Sequence, residues 1–448
     1  MIGQKEIEQL HTLTERLKAE QFSDIHFYRT RTKKRLFSLF PGPDLRCQDA
    51  DDCMYRIEAV YQGKKCSMYT NCPQDMEAIA RTLKETADLY GPADEGRHRY
   101  RPCKASGRPF LWERRDAVLS ALSTAEERAR TAREILLVQR CGYEEVCQEI
   151  ALIDEDLHIM QDQTGYHCFF IRVAAGRADM RATAARYLYG TRLADLPVEA
   201  CVDRAAAEAA GSLGGIVLPS GLYPAVISGP AMAELLEAFL PAFYADNIQS
   251  RMSGIGGRRG RKVASPSLWL KEMPWITEGR NTRTFDQEGT PVCETDLIRD
   301  GGIAQILYNR RSAKKDGTVS TGNGFRPTLQ EDVGTGATNV VLGMDFAHTC
   351  TEEELIRKRK NGILVTGLYG VFAGTDSRTG QFSLLASGRR IENSTLAEPF
   401  HQVTISGNFF EMLGTITEVG ADVYPTDPGK RSVLSPAVLA GTVTVSGN

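Results

Sequence analysis

Apolar residues recur every three or four positions near the start of the chain, which is typical of amphipathic helices. Two helices are predicted in this way, one over residues 5–20 and one over 76–87. Their apolar faces are Ile7, Leu10, Leu13 and Leu17 in the first and Met76, Ile79, Ala80, Leu83 and Ala87 in the second. Between them, "DIHFYRT" predicts a strand, and "MYRIEAVYQGKKCSMYTN" predicts a hairpin that turns at Gln62–Gly63. We therefore predict a small α+β domain over residues 1–92.

A polar, Pro- and Gly-rich stretch, "GPADEGRHRYRPCKASGRP", predicts a linker after this domain. A long helix is then expected from Glu113 to Arg140. Short strands separated by turn residues follow and predict an antiparallel meander. The segment "PVEACVDRAAAEAAGSLGG" closes the region as a helix that ends at glycine. These elements predict a middle domain of helices and meander over residues 105–218.

Strand patterns dominate from Leu222 onward, among them "LYPAVISG", "TRTFDQEG" and "AVLAGTVTVSG". A helix is predicted over residues 230–245, with Pro at an early helical position. The pattern indicates a large β-rich C-terminal domain over residues 222–448, with mainly antiparallel sheets. The predicted fold class is therefore α+β, with several domains.

Composition and charge argue against a nucleic-acid-binding, membrane-spanning or secreted protein. The 448 residues carry a net charge of -3, which gives no general attraction to nucleic acid or to an anionic membrane. No apolar run is long enough to span a bilayer, and the charged first helix lacks the apolar region of a secretory signal. The 11 cysteines form no CxxC pair, so we expect reduced thiols and a cytoplasmic location.

The stretch "SAKKDGTVSTGNGFR", Ser312–Arg326, combines glycines, hydroxyls and cations. A phosphate-binding loop requires GxxxxGK[ST] between a strand and a helix, and this stretch lacks both the lysine and a following helix. The basic stretch "GIGGRRGRK", at residues 254–262, is interpreted as a solvated loop rather than a nucleic-acid site. Ser312–Arg326 is then either a tight turn that satisfies its own backbone or a turn beside a peptide-binding groove.

Histidine spacing argues against a local metal motif. The seven histidines lie at least nine residues apart, and none precedes a glutamate, so no zincin helix is present. There is no GxSxG elbow of a serine hydrolase. His401, in "PFHQVTISGN", is either a structural histidine or a catalytic one, and the residues alone leave both open.

Several long stretches of the C-terminal half resemble the TldD/PmbA family, also described as modulators of DNA gyrase. The stretches, in order, are "FDQEGTPVCETDLIRDGGIAQILYNRRSAKKDGTVSTGNGFR", "GLYGVFAGTDSRTGQFSLLASGRRIENS", "PFHQVTISGNFFEML" and "SPAVLAGTVTVSGN". The resemblance covers residues 222–448 and is looser before them.

The resemblance implies a metal site in one branch of the family only. In the TldD branch, an HExxxH helix and a distant cysteine hold the metal of a peptidase. In an ungapped alignment, Glu237 and Ala242 stand at the two histidine positions, and no cysteine follows Cys350. The chain is therefore similar to the PmbA (TldE) branch, and we expect no metal, no other cofactor and no catalytic residue of its own.

The same resemblance places the Ser-Thr-Gly-Asn turn beside the cleft that receives peptide. We predict Ser320, Thr321, Asn323 and His401 as peptide contacts. The implied partner is a TldD-like metallopeptidase chain, or a second copy in a homodimer, and the implied substrates are unfolded or leader peptides. No nucleic acid or membrane partner is expected. Two alternatives stay open: an autonomous homodimeric hydrolase without metal, and a protein that modulates DNA gyrase.

Overall fold

A computed structural model gives the structure of residues 2–41, 44–89, 92, 100, 110–257, 260–345, 350–426 and 431–447. Apart from Pro92 and Tyr100, the predicted linker lies outside these described residues, as do Arg258 and Arg259 of the basic stretch. The N-terminal elements are α1 (Gln4–Ala19), β1 (Phe22–Leu39), β2 (Leu45–Tyr61), β3 (Lys64–Thr70), α2 (Met76–Ala87), α3 (Arg115–Thr131), β4 (Ile135–Asp154), β5 (Ile159–Arg177), β6 (Met180–Gly190) and α4 (Val198–Gly211).

The strands β1 to β6 form one six-stranded antiparallel sheet in the described part of the chain, in the order β3-β2-β1-β4-β5-β6. We call it the N-terminal sheet. The pairing of β1 with β4, from His26 opposite Asp154 to Leu39 opposite Cys141, joins the predicted first and middle domains. Two hydrophobic clusters lie on one face, one under α1 and α2 and one under α3 and α4. The division at residues 1–92, 105–218 and 222–448 itself stays a prediction.

The predicted apolar faces of the first two helices are the buried ones. Leu10, Leu13 and Leu17 of α1 and Leu83 of α2 are 0–1% exposed. Fully burying a side chain of this size contributes roughly 1.5–3 kcal/mol, so these faces fix both helices to the sheet. Asp75 caps α2 by accepting a hydrogen bond from Ala78 N at 3.2 Å.

Two predicted helices are shorter in the structure. The helix expected from Glu113 to Arg140 ends at Thr131, and the apolar run that begins at Ile135 starts the 20-residue strand β4. The meander strands are correspondingly long rather than short. The helix expected over residues 230–245 ends at Phe239 and continues as a 3-10 helix, where Pro241 has no N–H to donate.

The C-terminal half is β-rich, as predicted. Its strands are β7 (Gly221–Ile227), β8 (Leu268–Glu272), β9 (Thr295–Arg299), β10 (Gly302–Ile303), β11 (Gly324–Phe325), β12 (Gly334–Thr335), β13 (Asn339–Met344), β14 (Gly362–Tyr369), β15 (Gln381–Glu392), β16 (Thr395–Asn408), β17 (Glu418–Pro425) and β18 (Ser432–Ser446). Its helices are α5 (Gly229–Phe239), α6 (Ala245–Gln249), α7 (Arg310–Lys315), α8 (Glu352–Arg359) and α9 (Phe409–Thr415).

The long strand β18 organises the large C-terminal sheet. It pairs with β13 in parallel and with β16, β17 and β7 in antiparallel register. Helix α5 packs against β18 with nearly all of its residues buried. The α+β class, with a β-rich C-terminal region and mainly antiparallel sheets, is confirmed. The run "TRTFDQEG" was wrongly predicted as a strand, since it forms only a bridge between Phe285 and Pro291.

That bridge segment packs on the face of the N-terminal sheet opposite the helices. Phe285 is buried there among four side chains of the sheet: Tyr28, Ile150, Leu152 and Met160. Thr284 N and Oγ1 both donate to Asp162 Oδ2 at 2.8 Å. One sheet therefore carries helices on one face and the C-terminal half on the other. No helix among the described residues is both long and apolar enough to cross a membrane.

Gly388 of β15 provides a test of the C-terminal packing. A Cβ atom at Gly388 would lie 1.9 Å from the Leu364 carbonyl oxygen. A Cβ atom at Gly414 would have no neighbouring heavy atom within 4 Å outside its own helix backbone in the described part of the chain. Gly388→Ala is expected to lower the free energy of unfolding by about 1–3 kcal/mol or more, since neighbouring backbone must move. Urea unfolding followed by circular dichroism measures this, with Gly414→Ala as control. Equal stability of the two variants would contradict the register of β14 and β15.

Candidate functional site

The turn at residues 320–323, called the STGN turn below, is held by the backbone of Tyr308. Ser320 Oγ donates to Tyr308 O at 3.0 Å, and Tyr308 N donates to Thr321 Oγ1 at 2.8 Å. Thr321 Oγ1 in turn donates to Asn323 Oδ1 at 2.6 Å. Both hydroxyl groups are therefore engaged inside the protein, although Ser320 and Thr321 are partly exposed.

Asn323 connects the turn to a buried carboxyl group. Its Nδ2 donates to the carboxylate oxygens of Glu272, at 2.9 and 3.0 Å, and to Gly336 O at 2.9 Å. Thr338 adds two bonds to Glu272 Oε1, from its N at 2.6 Å and its Oγ1 at 2.8 Å. Asn323 and Glu272 are each 1% exposed. The amide of Asn323 is thus committed to the fold.

A second buried carboxyl group, that of Asp286, holds the residue after the turn. Asp286 Oδ2 accepts a hydrogen bond from Gly324 N at 2.8 Å, and Oδ1 accepts from Thr290 N at 2.8 Å. Burial raises the pKa of Asp286 to about 7, with a further contribution from nearby Glu288. Burial also raises the pKa of Glu272 to about 7, against the hydrogen bonds that favour its charged form.

Glycine is required at the centre of the turn. Gly322 has a φ of +79°, and a Cβ atom there would lie 2.3 Å from Pro291 O. Only glycine combines this left-handed conformation with such close backbone approach. The sequence prediction of a tight turn therefore has a direct physical basis.

The STGN turn also lies close to the N-terminal sheet. Gln287 N donates to Gly324 O at 2.9 Å, and the Gln287 Nε2 donates to Tyr28 OH of β1 at 2.9 Å. Arg326, two residues further on, forms an ion pair with Glu58 of β2. The turn is thus anchored at the junction between the C-terminal half and the sheet.

His401 is not part of this cluster. It is exposed in an irregular part of β16, and its backbone N–H donates to Ile216 O at 3.1 Å. β13, which begins beside the cluster, pairs with the first residues of β18, whereas Thr404 of β16 pairs with Ser446 at its other end. The structure brings Ser320, Thr321 and Asn323 together and leaves His401 at the opposite end of β18.

Helix α5 and the 3-10 helix after it carry the two positions aligned with histidines. Glu237 is buried, and its Oε1 accepts a hydrogen bond from Arg431 N at 2.7 Å. Ala242 is fully buried. Burial and the neighbouring Glu237 raise the pKa of Glu234 to about 7. Within the described ranges, no three His, Cys, Asp or Glu side chains are placed to hold a metal ion.

Sequence reasoning missed the two buried acids, Glu272 and Asp286. Glu272 stands in the apolar strand pattern "SLWLKEM", at an alternating position that the structure buries. A charged residue at a core position of a strand is the signal that could have identified it, because such groups are rarely buried without partners.

Comparison with known proteins identifies the family. The family description "PmbA/TldA metallopeptidase C-terminal domain" matches residues 220–447, about half of the chain. The chain belongs to the PmbA/TldD family. The prediction from the sequence motifs is thereby confirmed.

Two relatives show how far this similarity extends. A metalloprotease of Methanothermobacter thermautotrophicus is 29% identical over 206 residues, which are 46% of this chain and 44% of that protein. Metalloprotease PmbA of Escherichia coli O157:H7 is 26% identical over 200 residues, 45% of this chain and 41% of that protein. The matched region therefore spans less than half the length of either relative.

Solved structures resemble the whole chain. A Thermotoga maritima protein described as a modulator of a DNA gyrase is 26% identical, with a TM-score of 0.84 over 98% of this chain and 99% of that one. TldE of Thermococcus kodakarensis shares the fold, with a TM-score of 0.86 over 98% and 99% of the two chains at 19% identity. The family fold thus extends through the N-terminal sheet.

The buried acids predict a pH dependence of stability. The folded-state pKa values of Glu272 and Asp286 lie near 7, above the ordinary carboxyl values. Their contribution to the free energy of unfolding is therefore fully present at acidic pH, where both carboxyl groups are protonated. It is lost as the pH rises from about 5 through 7, by at most about 1.4 kcal/mol per pH unit and group. Glu272→Gln is expected to make this slope shallower.

Urea unfolding between pH 5 and 8 measures the slope. Glu15→Gln, which removes an exposed carboxylate of α1, is the control for the loss of one charge and should keep the original slope. A Glu272→Gln variant with an unchanged slope would show that Glu272 ionises normally in the folded chain.

Proposed function

We propose that this chain is a PmbA/TldE-like subunit of a cytoplasmic TldD/TldE-type metallopeptidase. It would pair with a TldD-like chain and help to bind unfolded or leader peptides for cleavage. The observation that carries the proposal is the helix α5 and its extension. At the two positions where the TldD branch is expected to carry histidines stand Glu237, which holds the backbone of Arg431, and Ala242, which is packed in the core.

These residues do not fit the metal of a TldD-like site. Ala242 has no donor atom, Glu237 already accepts a backbone hydrogen bond, and no cysteine follows Cys350. A zinc site needs three protein ligands and an open position. The ligands for hydrolysis would therefore come from the partner chain, and we derive no metal-dependent step for this one.

In this proposal, the STGN turn forms part of the wall of a peptide groove. It would contribute the position of its backbone more than unpaired side-chain donors, because its hydroxyl groups are already hydrogen-bonded within the protein. Ser320 and Thr321 are partly exposed and remain our candidates for peptide contacts. Asn323 would act by holding the turn against Glu272. An extended peptide can be held mainly by backbone hydrogen bonds, which require an ordered strand or turn edge beside it.

The alternatives have less support. For an autonomous hydrolase, His401 would need an acid or a nucleophile, and its ring has no hydrogen bond or ion pair within the described residues. A role with DNA gyrase is suggested by the description of the Thermotoga maritima protein, but a net charge of -3 gives no electrostatic support for nucleic acid. A homodimer remains the alternative to the TldD-like partner.

The first test concerns metal and activity. The purified chain is expected to hold no stoichiometric zinc and to leave an unfolded peptide intact, whereas addition of a TldD-like chain should produce cleavage that a chelator abolishes. Elemental analysis and mass spectrometry of the peptide measure both. One zinc per chain, or chelator-resistant cleavage that is lost on His401→Ala, would contradict the proposal.

The second test concerns the STGN turn. Asn323→Ala leaves the buried Glu272 with fewer partners and should lower the free energy of unfolding by about 1–3 kcal/mol. Ser320→Ala removes a partly exposed hydroxyl that also donates to Tyr308 O, so it should cost less stability than Asn323→Ala and should in addition weaken peptide binding in the reconstituted pair. Thermal unfolding measures the effect of each variant on stability, and fluorescence anisotropy measures its effect on peptide affinity. If Ser320→Ala leaves the peptide affinity unchanged, the turn is only structural.

A further inference from the structure

Arg140 of β4 lies on the face of the N-terminal sheet opposite the helices and has no carboxylate partner among the described residues. Its guanidinium carbon is 4.8 Å from the centre of the Phe170 ring and 5.6 Å from that of Phe40. Nη2 donates to Ser38 Oγ at 3.1 Å, and Nε is buried without an acceptor. No carboxylate among the described residues forms an ion pair with Arg140.

Other arginines of the same sheet differ from Arg140. Arg29, Arg31, Arg35 and Arg56 each form an ion pair with one or two carboxylates. Arg140 instead faces a second cation, because the exposed Arg172 stands directly opposite it across β4 and β5. Like charges opposite each other are unfavourable, and a half-buried guanidinium without a counter-ion costs free energy. The pair therefore favours an anion beside it.

An apolar surface adjoins these two arginines. We call it the aromatic floor, and it consists of Phe170, Tyr187, Tyr166, Tyr189 and Leu36. Phe170 stacks with Tyr187, with ring centres 5.8 Å apart. Gly142 allows this arrangement, since a Cβ there would lie 2.3 Å from the Phe170 ring. Phe170 and Tyr189 are buried, whereas Tyr166, Tyr187 and Leu36 are partly exposed, so the accessible part of the floor consists of these three side chains.

We propose that Arg140, Arg172 and the aromatic floor bind the C-terminus of a peptide that ends in an apolar residue. The donors of a guanidinium lie in its plane and match the two oxygens of a carboxylate. The apolar side chain next to that carboxylate would lie on Tyr187, which stacks on the buried Phe170. This inference rests on the proposed function, in that the bound molecule is a peptide. It adds that this chain recognises the C-terminal end of the peptide.

The test compares two forms of one peptide on the full-length chain. A hexapeptide that ends in leucine, labelled at its N-terminus with fluorescein, is prepared with a free carboxylate and with a C-terminal amide. Fluorescence anisotropy should give a Kd about ten-fold lower for the carboxylate form, which corresponds to about 1.4 kcal/mol. Arg140→Gln should weaken the carboxylate form to the level of the amide and leave the amide unchanged.

Arg177→Gln is the matched control, because Arg177 is an exposed arginine at the end of the neighbouring strand β5 and pairs with Glu134. It should retain the ten-fold preference. Equal binding of the two peptide forms to the unaltered chain would overturn this inference alone. Absence of binding by both forms would overturn it together with the peptide-binding part of the proposed function, whereas cleavage by a TldD-like partner tests the subunit role separately.

Discussion

The buried carboxyl group of Glu272 is the interaction on which the candidate site depends. It receives hydrogen bonds from Asn323 of the STGN turn and from Thr338, the residue before β13. It thereby ties the end of β8 to two segments that are more than fifty residues away in sequence. A buried acceptor of this kind is costly when its partners are missing, so displacement of either segment would leave the Glu272 carboxyl group short of hydrogen bonds. The shape of the turn follows from that requirement.

Features that depend on residues close together in the sequence could be predicted. Helical periodicity located α1 and α2, and glycine and hydroxyl residues located the STGN turn, because a few neighbouring residues decide these features. The extent of β4 was missed, since the run "ILLV" after α3 suits a buried helix as well as a strand. The partner of Asn323 could not be found, because 51 residues separate it from Glu272 and no local pattern encodes that contact. The pairing of β1 with β4 is non-local in the same way.

Helix α5 is held in place without a metal site among the described residues. Helix α5 is held by burial against β18, and the charged Glu237 is satisfied by a backbone N–H of the segment before that strand. Glu237 and Ala242, at the two positions aligned with the expected histidines, are therefore compatible with the packing of this segment. This packing is the physical condition that the proposed subunit role requires, since the fold around the helix would be kept without the chemistry of a metal site.

The two faces of the N-terminal sheet are covered by different parts of the chain. One face is covered by four helices, whose apolar sides bury it. The C-terminal half packs on the other face, with a hydrophobic cluster around Tyr28 and Phe285. Further along, Arg280 of the C-terminal half lies 4.9 Å from the ring centre of Tyr189, at the border of the aromatic floor. The C-terminal half therefore reaches the aromatic floor at Tyr189, so both halves of the chain contribute side chains to this part of the surface.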